Sequence, residues 1–97
     1  MDREKIIGYL NIAKKAGFVI IGGEKLYNYN KKLYLALFDS TAKKNTVKVV
    51  EKLKERGVST LQLDGLDSIM NINNCKIIGI KNKNLSEIIC KLCDDKN

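Results

Sequence analysis

Apolar residues recur at helical spacing at the start of the chain. In the segment DREKIIGYLNIAKKAG, residues 2–17, the positions that share one helical face are Ile6, Ile7, Leu10 and Ala13. Asp2 is suited to cap this helix, and Gly17 can adopt the left-handed backbone that commonly ends one. Lys14 and Lys15 favour the last turn, where the helix dipole attracts positive charge. The pattern predicts a first helix across this segment.

Four short segments carry strand patterns. Two of them, FVII (18–21) and LYLALF (33–38), are continuously apolar, which favours buried strands, the second buried on both faces. VSTLQL (58–63) alternates as a half-exposed strand does, and KIIGIK (76–81) predicts a further strand. Between the first two strands, GGEKLYNYN predicts either a short helix that begins near Gly23 or a loop, and the pattern leaves both open.

Two helical patterns separate the later strands. The segment DST (39–41) provides cap residues for a long helix that runs to Arg56 and is closed by Gly57. Its inward positions are Val47, Val50 and Leu53, and its outer face carries Lys43, Lys44, Lys48, Lys52 and Lys54. The segment DGLDSIMN predicts a short helix whose apolar face is made of Leu66, Ile69 and Met70.

A last helix follows the fourth strand. Asn84 and Glu87 have the spacing of a capping box at a helix start. The apolar positions that follow are Leu85, Ile88, Ile89 and Leu92. The order of elements is therefore α-β-α-β-α-β-α-β-α, which implies a parallel or mixed sheet between layers of helices. No linker or repeat divides the chain, so we expect one domain over residues 1–97.

Composition narrows the class of protein. The chain has 97 residues, 44% of them hydrophobic, which is enough for a globular core. No apolar run approaches the roughly 18–20 residues needed to span a bilayer, and the charged segment MDREKIIGYL does not resemble a secretory signal. Three cysteines without framework spacing indicate reduced thiols. We expect a cytoplasmic, soluble monomer without a membrane partner.

The formal net charge of +7 raises the question of a polyanionic partner. A basic surface attracts phosphate backbones without sequence preference, although surface lysine also serves solubility alone. Only Arg3 and Arg56 are arginines, and lysine lacks the planar fork with which arginine recognises guanine. Charge alone therefore leaves nucleic-acid binding and simple solubility both open.

The sequence contains little that would support catalysis or metal binding. There is no histidine, which is the commonest general base near neutral pH. Asp39 follows a predicted buried strand, but a role as helix cap for Ser40 explains it better. Cys75, Cys90 and Cys93 would provide at most three zinc ligands. We therefore expect no enzyme activity, no catalytic residue, no metal and no cofactor.

The stretch GFVIIGGEK, residues 17–25, contains the most suggestive local feature, a double glycine before a charged pair. It is not a nucleotide-binding P-loop, because that motif requires Lys followed by Ser or Thr after its last glycine. Gly22 and Gly23 instead permit a close backbone approach at a predicted helix start, where N–H groups favour anions. A plain turn is the alternative interpretation.

The order of motifs along the chain resembles the ribosomal L7Ae/L30e family, most closely its small stand-alone bacterial members. A helix ending in AKKAG leads to a short strand, then GGEK and a buried strand ending in Asp; a lysine-rich helix containing Asn-Thr follows, and later LDSIM and KIIGI. The resemblance covers roughly residues 4–92. It implies a three-layer α-β-α sandwich with a mixed four-stranded sheet and helices on both faces. It also implies recognition of a kink-turn, a sharply bent RNA internal loop.

The resemblance assigns RNA-binding residues by position. The start of the second helix would contact the sheared G·A pairs, through Gly22, Gly23, Glu24 and Lys25. The loop before the last strand would contact the extruded nucleotide, through Met70, Asn71, Ile72 and Asn73. Met70 or Ile72 is apolar enough to cover a flipped base.

Two departures from the family pattern affect this assignment. Only about nine residues separate Gly23 from Leu33, which predicts a shortened second helix, and Lys31 and Lys32 are the available substitutes for a lysine that the family carries further along it. Asn71 stands where the family has a glycine, and asparagine tolerates left-handed backbone.

The resemblance predicts a protein that binds structured RNA. That RNA could be ribosomal RNA, within the ribosome or apart from it. The alternative is a protein–protein interaction module on the same scaffold, for which Tyr27, Tyr29 and Tyr34 offer interface residues.

Overall fold

The computed structural model describes residues 2–94, and within them five helices alternate with four strands in the predicted order. The elements are α1 Arg3–Lys15, β1 Val19–Ile21, α2 Gly23–Asn28, β2 Leu35–Phe38, α3 Lys44–Glu55, β3 Ser59–Gln62, α4 Leu66–Met70, β4 Ile77–Ile80 and α5 Lys83–Asp94. Residues 1 and 95–97 of the expected domain lie outside the described part. The segment GGEKLYNYN, for which the sequence allowed either a helix or a loop, contains the six-residue helix α2 and then a loop that leads to β2.

The strand directions define two edges of the sheet. The strand order is β1-β4-β2-β3; β2 and β3 pair in parallel, whereas β4 pairs antiparallel with both β1 and β2. The carboxyl ends of β1, β2 and β3 therefore meet the amino end of β4 at one edge, which we call the upper edge. The opposite strand ends form the lower edge. The prediction of a mixed four-stranded sheet is confirmed.

The side chains of the sheet alternate between two separate cores. One face packs against α1, α4 and α5, and its fully buried strand residues are Leu35, Leu37, Ile78 and Ile80. The other face packs against α2 and α3 through Ala36 and Ile77. The molecule is thus a three-layer α-β-α sandwich with helices on both faces, as expected. No helix within residues 2–94 has the length and apolar character needed to cross a membrane.

A glycine in β4 lets α2 approach the sheet closely. A Cβ atom at Gly79 would overlap the side chain of Leu26 on α2 and would lie 3.3 Å from Leu33 Cδ2. Both leucines are buried, so they occupy the space above the strand. This packing fixes the position of α2, which carries Lys25.

The start of α3 and part of its inward face differ from the prediction. The helix begins at Lys44, because residues 39–42 form a turn in which Ala42 N–H donates to the Asp39 carbonyl at 3.0 Å. The predicted start at Ser40 is therefore wrong. Val50 and Leu53 are buried, but Val47 is 45% exposed and its predicted inward position is wrong. The buried stripe is rotated toward α2, so Val49 is buried instead.

The cap of α5 and the burial of β1 also differ from the prediction. Asn82 caps α5, since its Oδ1 accepts from Leu85 N–H at 2.9 Å, and the predicted capping box of Asn84 and Glu87 is wrong. The helix buries Ile89 but leaves Ile88 37% exposed, so the predicted inward position of Ile88 is wrong. The first strand, β1, is half-buried rather than buried, because it is a terminal strand of the sheet and has β4 as a neighbour on one side.

Candidate nucleic-acid interface

The double glycine lies at the upper edge, where β1 gives way to α2. Gly22 has φ 107° and ψ 141°, a conformation close to those that only glycine adopts readily. Its N–H donates to the Ile77 carbonyl at 3.2 Å, and its carbonyl accepts from Leu26 N–H at 3.1 Å. No side chain caps α2, so its first N–H groups lie outside the helical hydrogen-bond ladder. The pair is a strand-to-helix hinge with amide donors at this edge.

The loop before β4 begins with a left-handed residue. Asn71 has φ 56° and ψ 43°, and Ile72 N–H donates to the Asp67 carbonyl at 3.0 Å, which closes α4. This arrangement is a Schellman-type helix end in which asparagine takes the position usual for glycine. The expectation that Asn71 accepts left-handed backbone is confirmed.

The structure brings the two predicted RNA-binding segments to the same edge. The loop after Asn71 leads directly into Ile77, whose carbonyl is the partner of Gly22 N–H. Lys14, at the end of α1, donates from Nζ to the Met70 carbonyl and thus places a positive charge at the start of this loop. The start of α2 and the end of the α4–β4 loop therefore lie at one edge, although the two predicted segments are separated by about fifty residues of chain.

The side chains of the α4–β4 loop differ in accessibility. Met70 is fully buried in the core against α1, so its side chain cannot cover a base without leaving that core. Ile72 is half-buried at the surface, and Asn71 and Asn73 are exposed. Of the two apolar candidates, Ile72 is therefore the one positioned to contact a ligand.

Lys31 and Lys32 lie away from the other candidates, at the lower edge. Tyr34 N–H donates to the Ile80 carbonyl at 3.1 Å, and Lys32 Nζ is 5.5 Å from the centroid of the Tyr34 ring. The length of β4 from Ile77 to Ile80, about 10 Å, separates this end from the hinge at Gly22. In contrast, Glu24 and Lys25 lie exposed on the first turn of α2. Lys25 therefore lies at the upper edge, whereas Lys31 and Lys32 lie at the lower edge.

Asp39 ties three loops of the upper edge together. Its buried carboxylate accepts from Thr41 N–H at 2.9 Å, from Thr41 Oγ1 at 2.7 Å and from Gly65 N–H at 2.9 Å. Lys76 Nζ donates to Thr41 Oγ1 at 2.8 Å, which joins the segment before β4 to the same network. The hydrogen bonds from Thr41 hold the pKa of Asp39 well below its usual range, at about 2. Asp39 therefore caps a turn and a neighbouring loop, not the helix at Ser40.

Three lysines that the site assignment omitted lie at this edge. Lys76 reaches the turn after β2. Lys43 and Lys44 begin α3, which has neither a side-chain cap nor an acidic residue in its first turn. The lysine-rich start of α3 was visible in the sequence, but only the strand order places it at this edge. The AKKAG segment leads instead into the amino end of β1 at the lower edge, although Lys14 Nζ reaches the Met70 carbonyl.

The cysteines offer no metal site. Among residues 2–94 no group of three or more histidine, cysteine, aspartate or glutamate side chains is placed to hold a metal ion. Cys75 is buried, and burial raises the pKa of its thiol, which disfavours the reactive thiolate. Cys90 and Cys93 pack half-buried against the core that contains α1, α4 and α5.

The three candidate interface tyrosines have different environments. Tyr27 is 46% exposed, and the Lys52 ammonium lies 3.7 Å from its ring centroid. Tyr29 packs against the core beneath α2 and α3, and Tyr34 is half-buried at the lower edge. Of these, Tyr27 is the most exposed residue.

Comparison with known proteins identifies the fold. No family model matches the chain, and no curated protein matches it. The solved structure of a protein with unknown function from Bacillus halodurans C superposes with a TM-score of 0.84 and 21% sequence identity, over 94% of this chain and 98% of that one. At this level of identity the likeness establishes the three-layer architecture that the two proteins share.

Proposed function

We propose that the protein is a non-enzymatic, cytoplasmic RNA-binding protein of the L7Ae/L30e type that recognises kinked, structured RNA at the upper edge. The observation that carries the proposal is that both assigned segments adjoin the paired strands β1 and β4 at the upper edge. The bond from Gly22 N–H to the Ile77 carbonyl places the start of α2 beside the amino end of β4, into which the α4–β4 loop leads. The resemblance assigns RNA contacts to these same two segments.

The chemistry of the edge suits a bent RNA. Free amides at the start of α2 suit phosphate or base acceptors, and Lys25 adds an exposed positive charge beside them. Lys14 and Lys76 extend that charge around the α4–β4 loop. Ile72 provides an apolar contact for an unstacked base. RNA recognition typically targets such irregular, splayed-out bases rather than the helical grooves.

Equilibrium binding to a kink-turn RNA and to a straight duplex of equal length tests the proposal. We expect the kinked RNA to bind more tightly, with a preference that persists when the salt is raised from low to near-physiological concentration. Contacts that depend on RNA shape and on the bases are little affected by salt. Attraction to the phosphates weakens as the salt concentration rises, because the release of counterions then becomes less favourable. Equal binding that collapses with salt would contradict the proposal and favour a protein partner on the same scaffold.

Replacing Lys25 with alanine is expected to weaken binding of the kinked RNA by about 1–3 kcal/mol, because one direct contact is lost. The matched control is Lys54→Ala, which removes another exposed lysine, from the outer face of α3. Anisotropy titrations of both variants would measure the difference. Unchanged affinity in Lys25→Ala would remove Lys25 from the site without deciding whether RNA is the ligand.

A further inference from the structure

A groove runs down the molecule between α2 and α3, beginning at the upper edge. It consists of two adjoining depressions that share Tyr27 and Asn28. Gly23 and Glu24 line the upper depression, so the groove opens directly beside the hinge. Arg56 lines the lower one. The wall that α3 contributes, from Asn45 to Arg56, is about 16 Å long at 1.5 Å per residue.

The groove combines an aromatic ring with fixed positive charges. Lys52 Nζ donates to the Tyr27 carbonyl at 3.1 Å and lies over one face of the Tyr27 ring. Arg56 donates from Nη1 to the Tyr29 carbonyl at 2.7 Å and from Nη2 to the Lys31 carbonyl at 3.1 Å. Each cation uses only part of its donors in these bonds, because an ammonium has three N–H groups and a guanidinium five. Both cations are thus held in place with donors to spare.

The remaining lining residues favour a nucleic acid over an acidic protein surface. Side-chain amides from Asn28, Asn30 and Asn45 line the groove and can both donate and accept, as base edges require. Among the described lining residues Glu24 is the acidic one, and it lies at the upper end rather than beside the cations. Proteins that bind single strands combine such a basic groove with aromatic rings on which bases stack.

We infer that this groove binds a single-stranded RNA segment that continues from the kinked RNA at the upper edge, with a base stacked on Tyr27 and phosphates beside Lys52 and Arg56. The inference rests on the proposed function, since it extends the same bound RNA. It assigns Tyr27 to RNA binding rather than to a protein interface. It also gives the short α2 a role: the helix ends at Asn28, and the loop that follows forms the lower part of the groove.

The test compares kinked RNA with and without a single-stranded extension of about six nucleotides, placed at each strand end in turn. We expect one of the extensions to tighten binding to the wild-type protein at least about fivefold, the lower range for stacking of one base. Tyr27→Ala should lose this gain, whereas Tyr27→Phe, which keeps the ring, should retain it. Lys52→Ala should reduce the gain, while Lys54→Ala on the outer face of the same helix should not.

The two proposals fail in different ways. Binding of unextended kinked RNA tests the upper edge alone, and the additional gain from the extension tests the groove alone. No gain at either strand end, or an equal gain in Tyr27→Ala, would overturn the inference while leaving the proposed function intact. If kinked RNA did not bind at all, an unstructured oligonucleotide that bound wild type and not Tyr27→Ala would still support the groove, and no difference between the two would overturn it.

Discussion

Replacing Asp39 with asparagine is expected to lower the free energy of unfolding by about 2–4 kcal/mol, one of the largest single effects that this fold offers. One carboxylate oxygen accepts from both the amide and the hydroxyl of Thr41, and the other accepts from the amide of Gly65. Asparagine has one acceptor oxygen and one NH2 group. Whichever way it is oriented, its NH2 faces a donor, and at least one part-buried N–H of the network loses its partner.

Chemical denaturation at neutral pH would measure this effect, with Asp64→Asn as the matched control. Asp64 lies at the same edge but is exposed, and its side chain accepts from Ser40 N–H at 2.8 Å. We expect the control to lose less than about 1 kcal/mol, as is usual for an exposed hydrogen bond. Comparable losses in the two variants would show that the Asp39 network contributes little.

The same carboxylate makes stability depend on pH in a defined direction. Its pKa falls from 3.8 to about 2 in the folded protein, so the folded state holds its proton less tightly than the unfolded chain. The stabilisation is therefore complete well above pH 4 and is lost as the pH falls through the folded value. We expect the stability difference between wild type and Asp39→Asn to shrink by about 1 kcal/mol between pH 6 and pH 3. A difference that stays constant over this range would contradict the low pKa.

The element order was predictable because each element carries its own periodicity. The errors occur where a residue's partner is distant in sequence. Asp39 looks like a local helix cap, yet one of its oxygens bonds to Gly65, and the helix begins five residues after Asp39. Val47 has a suitable spacing for the core, but α2 draws the buried stripe toward Val49. No local pattern contains such information, because it depends on which elements pack together.

The candidate site was predictable in parts, and its arrangement was not. The resemblance located the start of α2 and the α4–β4 loop, but their meeting depends on β1 pairing with β4 across the chain. Met70 appeared available because it ends a short helix, whereas α1 buries it. Lys31 and Lys32 appeared close to Lys25 in sequence, yet α2 and its loop carry the chain to the lower edge before β2 begins. Strand order, rather than residue spacing, decides which lysines can share one ligand.

Substituting the two adjacent glycines singly is expected to change stability by different amounts. Gly22→Ala should lower the free energy of unfolding by about 1–3 kcal/mol, because alanine is strained at φ 107°. No heavy atom lies within 4 Å of a Cβ at that position, so the loss comes from the backbone rather than from a clash. Gly23→Ala should change stability by less than about 1 kcal/mol, since its backbone is helical and alanine favours helix.

The two variants distinguish the role of the hinge residue Gly22 from that of Gly23, the first residue of α2. A Cβ at Gly23 would lie 3.5 Å from Val49 Cγ2, an ordinary packing distance that requires no movement of α3. Thermal and denaturant unfolding of both variants, with wild type alongside, would give the two differences directly. Equal losses would mean that the positive φ of Gly22 is not a constraint on the fold. A loss confined to Gly22→Ala would mean that the second glycine is not needed for stability, so that its presence beside Lys25 is free to serve the close approach of a ligand to the start of α2.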